Sequence, residues 1–199
     1  TRPVSKHRVR FVIYDNPDVA AERLGLADAR SLCPDPGTAA VEILPAEAFA
    51  EAALEAVRHA EAYVYVMTYS LSGSRSGTIA ELYAALRERA GAGVKVYVIV
   101  PAGSRAATGV RMAAMNYAET LAEAGVQVRF LQDFKVQHKK LIIVDTRRAF
   151  LGSSNLSAAA VTDNIELNIA TEHPGFVDAA VRDFRSMLRR AKSVEKLNR

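Results

Sequence analysis

A histidine and a lysine two residues apart, His138 and Lys140, stand at the head of an apolar run, Leu141-Ile142-Ile143-Val144, that ends in Asp145. Seven residues after Asp145 begins a second polar group, Gly152-Ser153-Ser154-Asn155. The first segment reads as a strand over Gln137–Asp145. Side chains alternate between the faces of a strand, so His138 and Lys140 are expected on one face, about 7 Å apart. An imidazole beside an ammonium makes a site for an anion. The cation holds a phosphate oxygen while the imidazole attacks or protonates. Asp145 is an odd number of positions from both, so a regular strand turns it to the opposite face, and it reads as a structural carboxylate. Ser153 and Asn155 are again two apart. If that segment is extended, a hydroxyl and a carboxamide face one way as uncharged donors to phosphate oxygens.

This constellation resembles the phospholipase D superfamily. Its HxKxxxxD motif is matched by His138, Lys140 and Asp145, and its downstream GSxN by Gly152, Ser153 and Asn155. The order of elements from about Leu44 to Ala191 also follows that family, whereas residues 1–43 match nothing in it. The resemblance implies a two-step reaction through a phosphohistidine, with His138 as nucleophile and a second histidine protonating the leaving oxygen. Many members carry two motifs; this chain has one, because His7, His59 and His173 lack a lysine two residues later. The single-motif branch, typified by Nuc-type endonucleases, dimerises so that two-fold symmetry brings both histidines into one cleft. A homodimer is therefore expected, with Lys140 and Asn155 of each subunit around the phosphate. Glu166 occupies the place where Nuc-like members carry a glutamate that orients the histidine. No cofactor and no metal are implied: the four histidines lack ligand spacing, and lysine and asparagine do the neutralising.

Other polar residues carry plainer readings. Arg105, after a strand, is placed as a phosphate-backbone contact on the cleft rim, with Arg111 near it. Lys139 faces away by alternation. Arg147 and Arg148 fall in a hairpin turn, and the basic C-terminal run (Arg182, Arg185, Arg189, Arg190, Lys192) is the wet side of a helix. His59 and His173 read as structural or surface residues, Tyr65, Tyr69 and Tyr83 as core or sheet aromatics, and Cys33 as a free surface thiol.

The elements that position these residues follow from periodicity. Strands are expected at Val9–Tyr14, Ala62–Tyr69, Val94–Val100, Val126–Leu131, Gln137–Asp145, Ala149–Gly152 and Asn164–Thr171. Helices are expected at a weak stretch over Val19–Ala29, from Pro45 to about Ala60, from Thr78 as cap to Gly91, from about Thr108 to Ala124, and at Pro174–Ala191. Alternating strands and helices with one hairpin predict an α/β domain: a mixed central sheet with helices on both faces. The expected organisation is an N-terminal extension of open role over residues 1–43 and a phospholipase D-like catalytic domain over residues 44–199.

At 199 residues, half of them hydrophobic, the chain supports one substantial core. No apolar stretch is long enough to span a bilayer, so no stable membrane insertion is expected. The net charge of +4 favours anionic partners without separating nucleic acid from acidic lipid. The single cysteine excludes an intrachain disulfide. A start at Thr1 suggests that an upstream segment is missing, and the compartment stays open between cytoplasmic and exported. Three functions follow: a nuclease acting on DNA or RNA, a phospholipid phosphodiesterase or transphosphatidylase, and a non-catalytic nucleic-acid-binding protein of the same fold. The small polar loop Ser70–Gly77 favours the first, since acyl chains call for an apolar, aromatic-rich one.

Overall fold

The computed structural model describes residues 41–71, 74–103, 106–132 and 136–193. The expected strand Val9–Tyr14, the helix around Val19–Ala29, His7, Cys33 and Arg105 lie outside them. In chain order the elements are β1 (Val41–Leu44), α1 (Ala46–Arg58), β2 (Tyr63–Met67), α2 (Gly77–Gly91), β3 (Lys95–Pro101), α3 (Thr108–Glu123), β4 (Gln127–Leu131), β5 (Leu141–Val144), β6 (Arg148–Gly152), α4 (Ala158–Thr162), β7 (Asn168–Thr171) and α5 (Pro174–Arg190). The strands form one sheet in the order β1-β7-β6-β5-β2-β3-β4. β2, β3 and β4 are parallel; every other pairing is antiparallel. The sheet is mixed, as the sequence pattern predicts.

Period-two alternation divides the strand residues between two cores. Val64, Val66, Val98, Phe130, Ile142 and Phe150 face α1, α2 and α3, whose Phe49, Leu82, Leu86 and Leu121 complete the larger cluster. Tyr65, Met67, Ile99, Leu141 and Ile143 face the other way, onto Val177, Val181 and Phe184 of α5. Both faces of the central strands are thus covered, which explains why they read as continuous apolar runs. Phe184 lies flat on Tyr65, ring centroids 4.6 Å apart. Burying a side chain of that size contributes about 1.5–3 kcal/mol.

The β5–β6 hairpin turns on Asp145 and Thr146, both left-handed at φ 50° and 54°, with Arg147 N donating to Val144 O at 3.0 Å. Two consecutive residues of this kind give the type I′ turn whose twist suits a hairpin. Neither is glycine, and the side chain of Asp145 supplies the compensation. Its carboxylate accepts the backbone N–H groups of Glu61, Ala62 and Tyr63 at 2.9, 2.8 and 2.9 Å, tying the hairpin to the start of β2. Burial alone would raise the pKa of Asp145. The three N–H donors and nearby Arg147 outweigh it and hold the carboxyl below its ordinary value. The stabilisation is therefore present above the unfolded carboxylate range and lost as pH falls through the depressed folded value. Asp145→Ala is expected to cost about 2 kcal/mol in urea unfolding at neutral pH. The difference from wild type should shrink once pH drops below about 4. A deficit that does not change with pH would contradict this account.

Several element ends differ from the sequence pattern. β1 forms from Val41 to Leu44 and pairs with β7, so the sheet takes in residues 41–43, which the pattern set apart. α2 begins at Gly77 behind Ser76, not behind Thr78. The five-residue α4 was not anticipated, although Ser157 before an alanine run is a legible cap; its side chain accepts Ala160 N. β5 starts at Leu141 and β7 at Asn168, each later than expected. The reason is partner supply. Met67 of β2 and Leu151 of β6 are the ladder partners of Leu141, and Asn168 is opposite Gly152, the last residue of β6.

Candidate active site

Because the ladder ends at Leu141, residues 136–140 run beside the sheet without belonging to it. Side chains supply the missing contacts. Gln137 is buried; its Nε2 donates to Thr68 O at 3.0 Å and its Oε1 accepts Lys139 N. That clamp fixes His138 and Lys140 at the carboxyl end of β2. The expected strand alternation is thus not what holds them, yet they meet: Lys140 Nζ lies 3.0 Å from His138 Nδ1, 3.1 Å from Nε2 and 3.0 Å from His138 O.

Lys140 is only 8% exposed, whereas His138 is open to solvent. Burial pushes the lysine pKa down, and the carboxylate of Glu166 pulls against that shift. A buried ammonium lacking a directly bonded carboxylate is costly unless an anion joins it. Burial first, and the Lys140 charge second, lower the pKa of His138. Both effects bias the ring toward its neutral, nucleophilic form. An NMR titration of His138 should give a midpoint below the ordinary value of about 6.5. In Lys140→Gln the midpoint should rise, since a positive neighbour that disfavours imidazolium has gone. A midpoint unmoved by that substitution would refute the electrostatic coupling.

The second motif abuts the first. Leu151 pairs with Leu141, and Gly152 N donates to Lys140 O at 3.4 Å. The Ser153 hydroxyl, expected as a donor to phosphate oxygens, donates to Glu166 and accepts Leu167 N at 3.0 Å. Glu166 in turn accepts from Asn164 Nδ2 at 2.9 Å. Within one chain the carboxylate thus bonds Ser153 and acts on Lys140 through space; it makes no hydrogen bond to the His138 ring. Ser154 and Asn168 bond each other inside the protein. Asn155 Oδ1, an acceptor, is buried with no hydrogen-bond partner, a state that costs about 1–3 kcal/mol.

Sequence reasoning missed Tyr69 and Gln137. Tyr69 was read as a sheet aromatic, but β2 ends at Met67 and the ring lies 4.8 Å from that of His138, with Lys140 Nζ 5.6 Å from its centroid. The position two residues beyond an apolar strand was the available signal. Leu71 forms a bridge with Leu156, so the chain around Tyr69–Leu71 touches both motif segments. Lys139 forms an ion pair with Asp183 at 2.5 Å, and both line the cavity that opens beside His138. Arg148 sits in β6, not in the turn, and pairs with Glu42 and Glu172. His173 caps α5, its Nδ1 accepting Phe176 N. Among the described residues no group of three or more His, Cys, Asp or Glu side chains could hold a metal ion.

A cavity of about 520 Å³ opens beside the histidine, lined by His138, Lys140 and Gly152, by the Lys139–Asp183 ion pair, and by an apolar wall of Leu141, Leu151, Phe176, Ala179 and Ala180. Among the described residues no helix is long and apolar enough to cross a membrane.

A mixed sheet that holds a histidine–lysine pair at the carboxyl end of a central strand, with the glycine–serine–asparagine segment against it, defines a phospholipase D-like domain. The chain belongs to the phospholipase D superfamily: residues 53–188 match the family model described as cardiolipin synthase, PLD-like domain. Cardiolipin synthase A of Serratia proteamaculans (strain 568) is 31% identical over 132 residues, which cover 66% of this chain and 26% of that protein. The chain thus spans about a quarter of the length of the curated relative it matches. The crystal structure of Nuc from Salmonella typhimurium, a phospholipase D family member, superimposes with a TM-score of 0.63 at 26% identity, over 78% of this chain and 97% of that one. NucT from Helicobacter pylori shares the fold, with a TM-score of 0.65 at 17% identity over 78% and 99%.

Proposed function

We propose that this chain is a metal-independent phosphodiesterase that cleaves DNA or RNA backbones through a phosphohistidine in a homodimeric active site. The observation that carries the reading is the solvent-open His138 imidazole held 3.0 Å from a buried Lys140 ammonium. A ring nitrogen of one His138 attacks phosphorus; a P–N bond forms, the P–O bond breaks, and the partner subunit's His138 protonates the leaving oxygen. Water then attacks phosphorus and gives its proton to that second imidazole, and the P–N bond breaks to release a phosphomonoester. Lys140 and Asn155 hold the non-bridging oxygens. Glu166, by binding Ser153, stiffens the second segment and tempers the lysine charge.

Two features support the dimer. One chain supplies a single motif histidine. Exposed apolar side chains, Ile165, Leu167 and Phe176, flank Glu166 and the cavity at His138. Leu167→Glu combined with Ile165→Glu is expected to yield folded monomers in ultracentrifugation, with cleavage lowered by on the order of 10²-fold or more, since each monomer lacks the acid. Monomers that cleave at the wild-type rate would sink the shared site.

A nucleic-acid substrate is supported by the match over 97% of Nuc, against 26% of the cardiolipin synthase. The apolar wall of the cavity beside His138 favours a second reading, transfer of a phosphatidyl group. The deciding experiment incubates the full chain with labelled single- and double-stranded DNA and RNA, and separately with phosphatidylglycerol vesicles, in excess EDTA. Polymer cleavage that persists in chelator supports the nuclease. Turnover of the vesicles alone shifts the assignment to lipid, and turnover of neither leaves a binding role.

A further inference from the structure

Past Gly152 the chain that carries Asn155 leaves the sheet, and two side chains from other elements hold it. On one side is Asn168 of β7, with no solvent exposure, against Ser154 at 2%. Asn168 Oδ1 accepts Ser154 N at 3.1 Å, and its Nδ2 donates to Ser154 Oγ at 2.9 Å. On the other side the buried hydroxyl of Tyr83, from α2, donates to Leu156 O at 2.8 Å. Asn155 lies between these anchors. A carboxamide in the middle of a core is costly unless both its ends are bonded, and an apolar residue in its place would leave Ser154 N orphaned. The chain therefore commits two buried polar side chains, Asn168 and Tyr83, to the short stretch that carries Asn155.

We infer that Asn168 is a positioning residue, acting with Tyr83 to hold the Asn155 carboxamide at the angle and depth at which it meets a substrate phosphate. The inference rests on the role given to Asn155 above. Catalytic donors lose most of their effect when displaced by about 1 Å, so loosening either anchor should lower turnover by on the order of 10- to 100-fold. The loss should depend on Asn155 being present.

The test uses the full chain and three substitutions: Asn168→Ala, and two milder ones that remove single hydrogen bonds, Ser154→Ala and Tyr83→Phe. The side-chain amide resonances of Asn155 are followed by NMR in each. Displacement of that pair toward the values of an unrestrained amide, with the β5 amides unmoved, is the expected result. Turnover is then measured in a cycle with Asn155→Ala, where Ser154→Ala is expected to add no more than about a twofold further loss. An Asn155 pair unmoved in all three variants, or losses that multiply in full, would overturn the inference. If the wild type turns over no phosphodiester, the proposed function falls, and the NMR arm still decides the clamp.

Discussion

His138→Asn is expected to lower turnover by about 10⁴-fold or more while leaving the unfolding free energy within about 0.5 kcal/mol of wild type. The two numbers come from different properties of one side chain. His138 is exposed and lies outside the strand ladder, and its contacts are the Tyr69 ring and the Lys140 ammonium, so little stability rests on it. Catalysis is different. The covalent step needs a nitrogen lone pair at phosphorus, and asparagine keeps polarity and approximate size without supplying one. In a dimer the substitution removes nucleophile and acid together. The neighbouring change, Lys140→Gln, should cost less, on the order of 10²–10³, because it removes charge stabilisation and leaves the nucleophile. Rates in excess EDTA decide the matter. A His138→Asn protein that keeps more than about one part in a hundred of the wild-type rate would exclude the phosphohistidine route.

Gly152→Ala is the second large effect, and it acts through space-filling instead of chemistry. A Cβ at Gly152 would sit 2.5 Å from Leu167 O and 2.6 Å from Asn168 Cα, and closer still to Asn168 Oδ1. Two of these are backbone atoms, of the first residue of β7 and of the residue before it, so no rotamer change relieves the clash; β6 and β7 must part where they are last paired. Overpacking of this kind costs about 1–3 kcal/mol, and more when backbone must move. Parting the strands also displaces Asn168 and the segment it holds. A drop of roughly 3 kcal/mol in denaturant stability is expected, with a loss of turnover that raising substrate concentration does not recover. If Gly152→Ala matched wild type in both, the close approach of β7 would be wrong.

The glycine also shows how a motif position can be legible while its reason is not. That Gly152 belongs to the motif followed from its resemblance to a family pattern; that it is there to admit the carboxamide of Asn168 depends on a strand sixteen residues away. Tyr69 and Gln137 illustrate the same limit. An aromatic after an apolar strand and an amide before a histidine both have ordinary readings. Position after the strand hints at Tyr69 alone, and neither the ring against the His138 imidazole nor the clamp across to Thr68 is visible before folding.

The sequence by itself determined the layered α/β class, the mixed sheet and the helices on both faces. All of these follow from short-range periodicity and from residue types a few positions apart, which the chain carries locally. Strand ends were decided by the tertiary structure. Leu141 and Asn168 begin their strands where partners begin, and partners come from distant sequence. The destination of each polar side chain was decided there too. Within one chain Glu166 bonds Ser153, and Lys140 is buried. Hydrogen bonds between segments far apart in the chain have no periodic trace in it, because each is satisfied only when packing has brought donor and acceptor together.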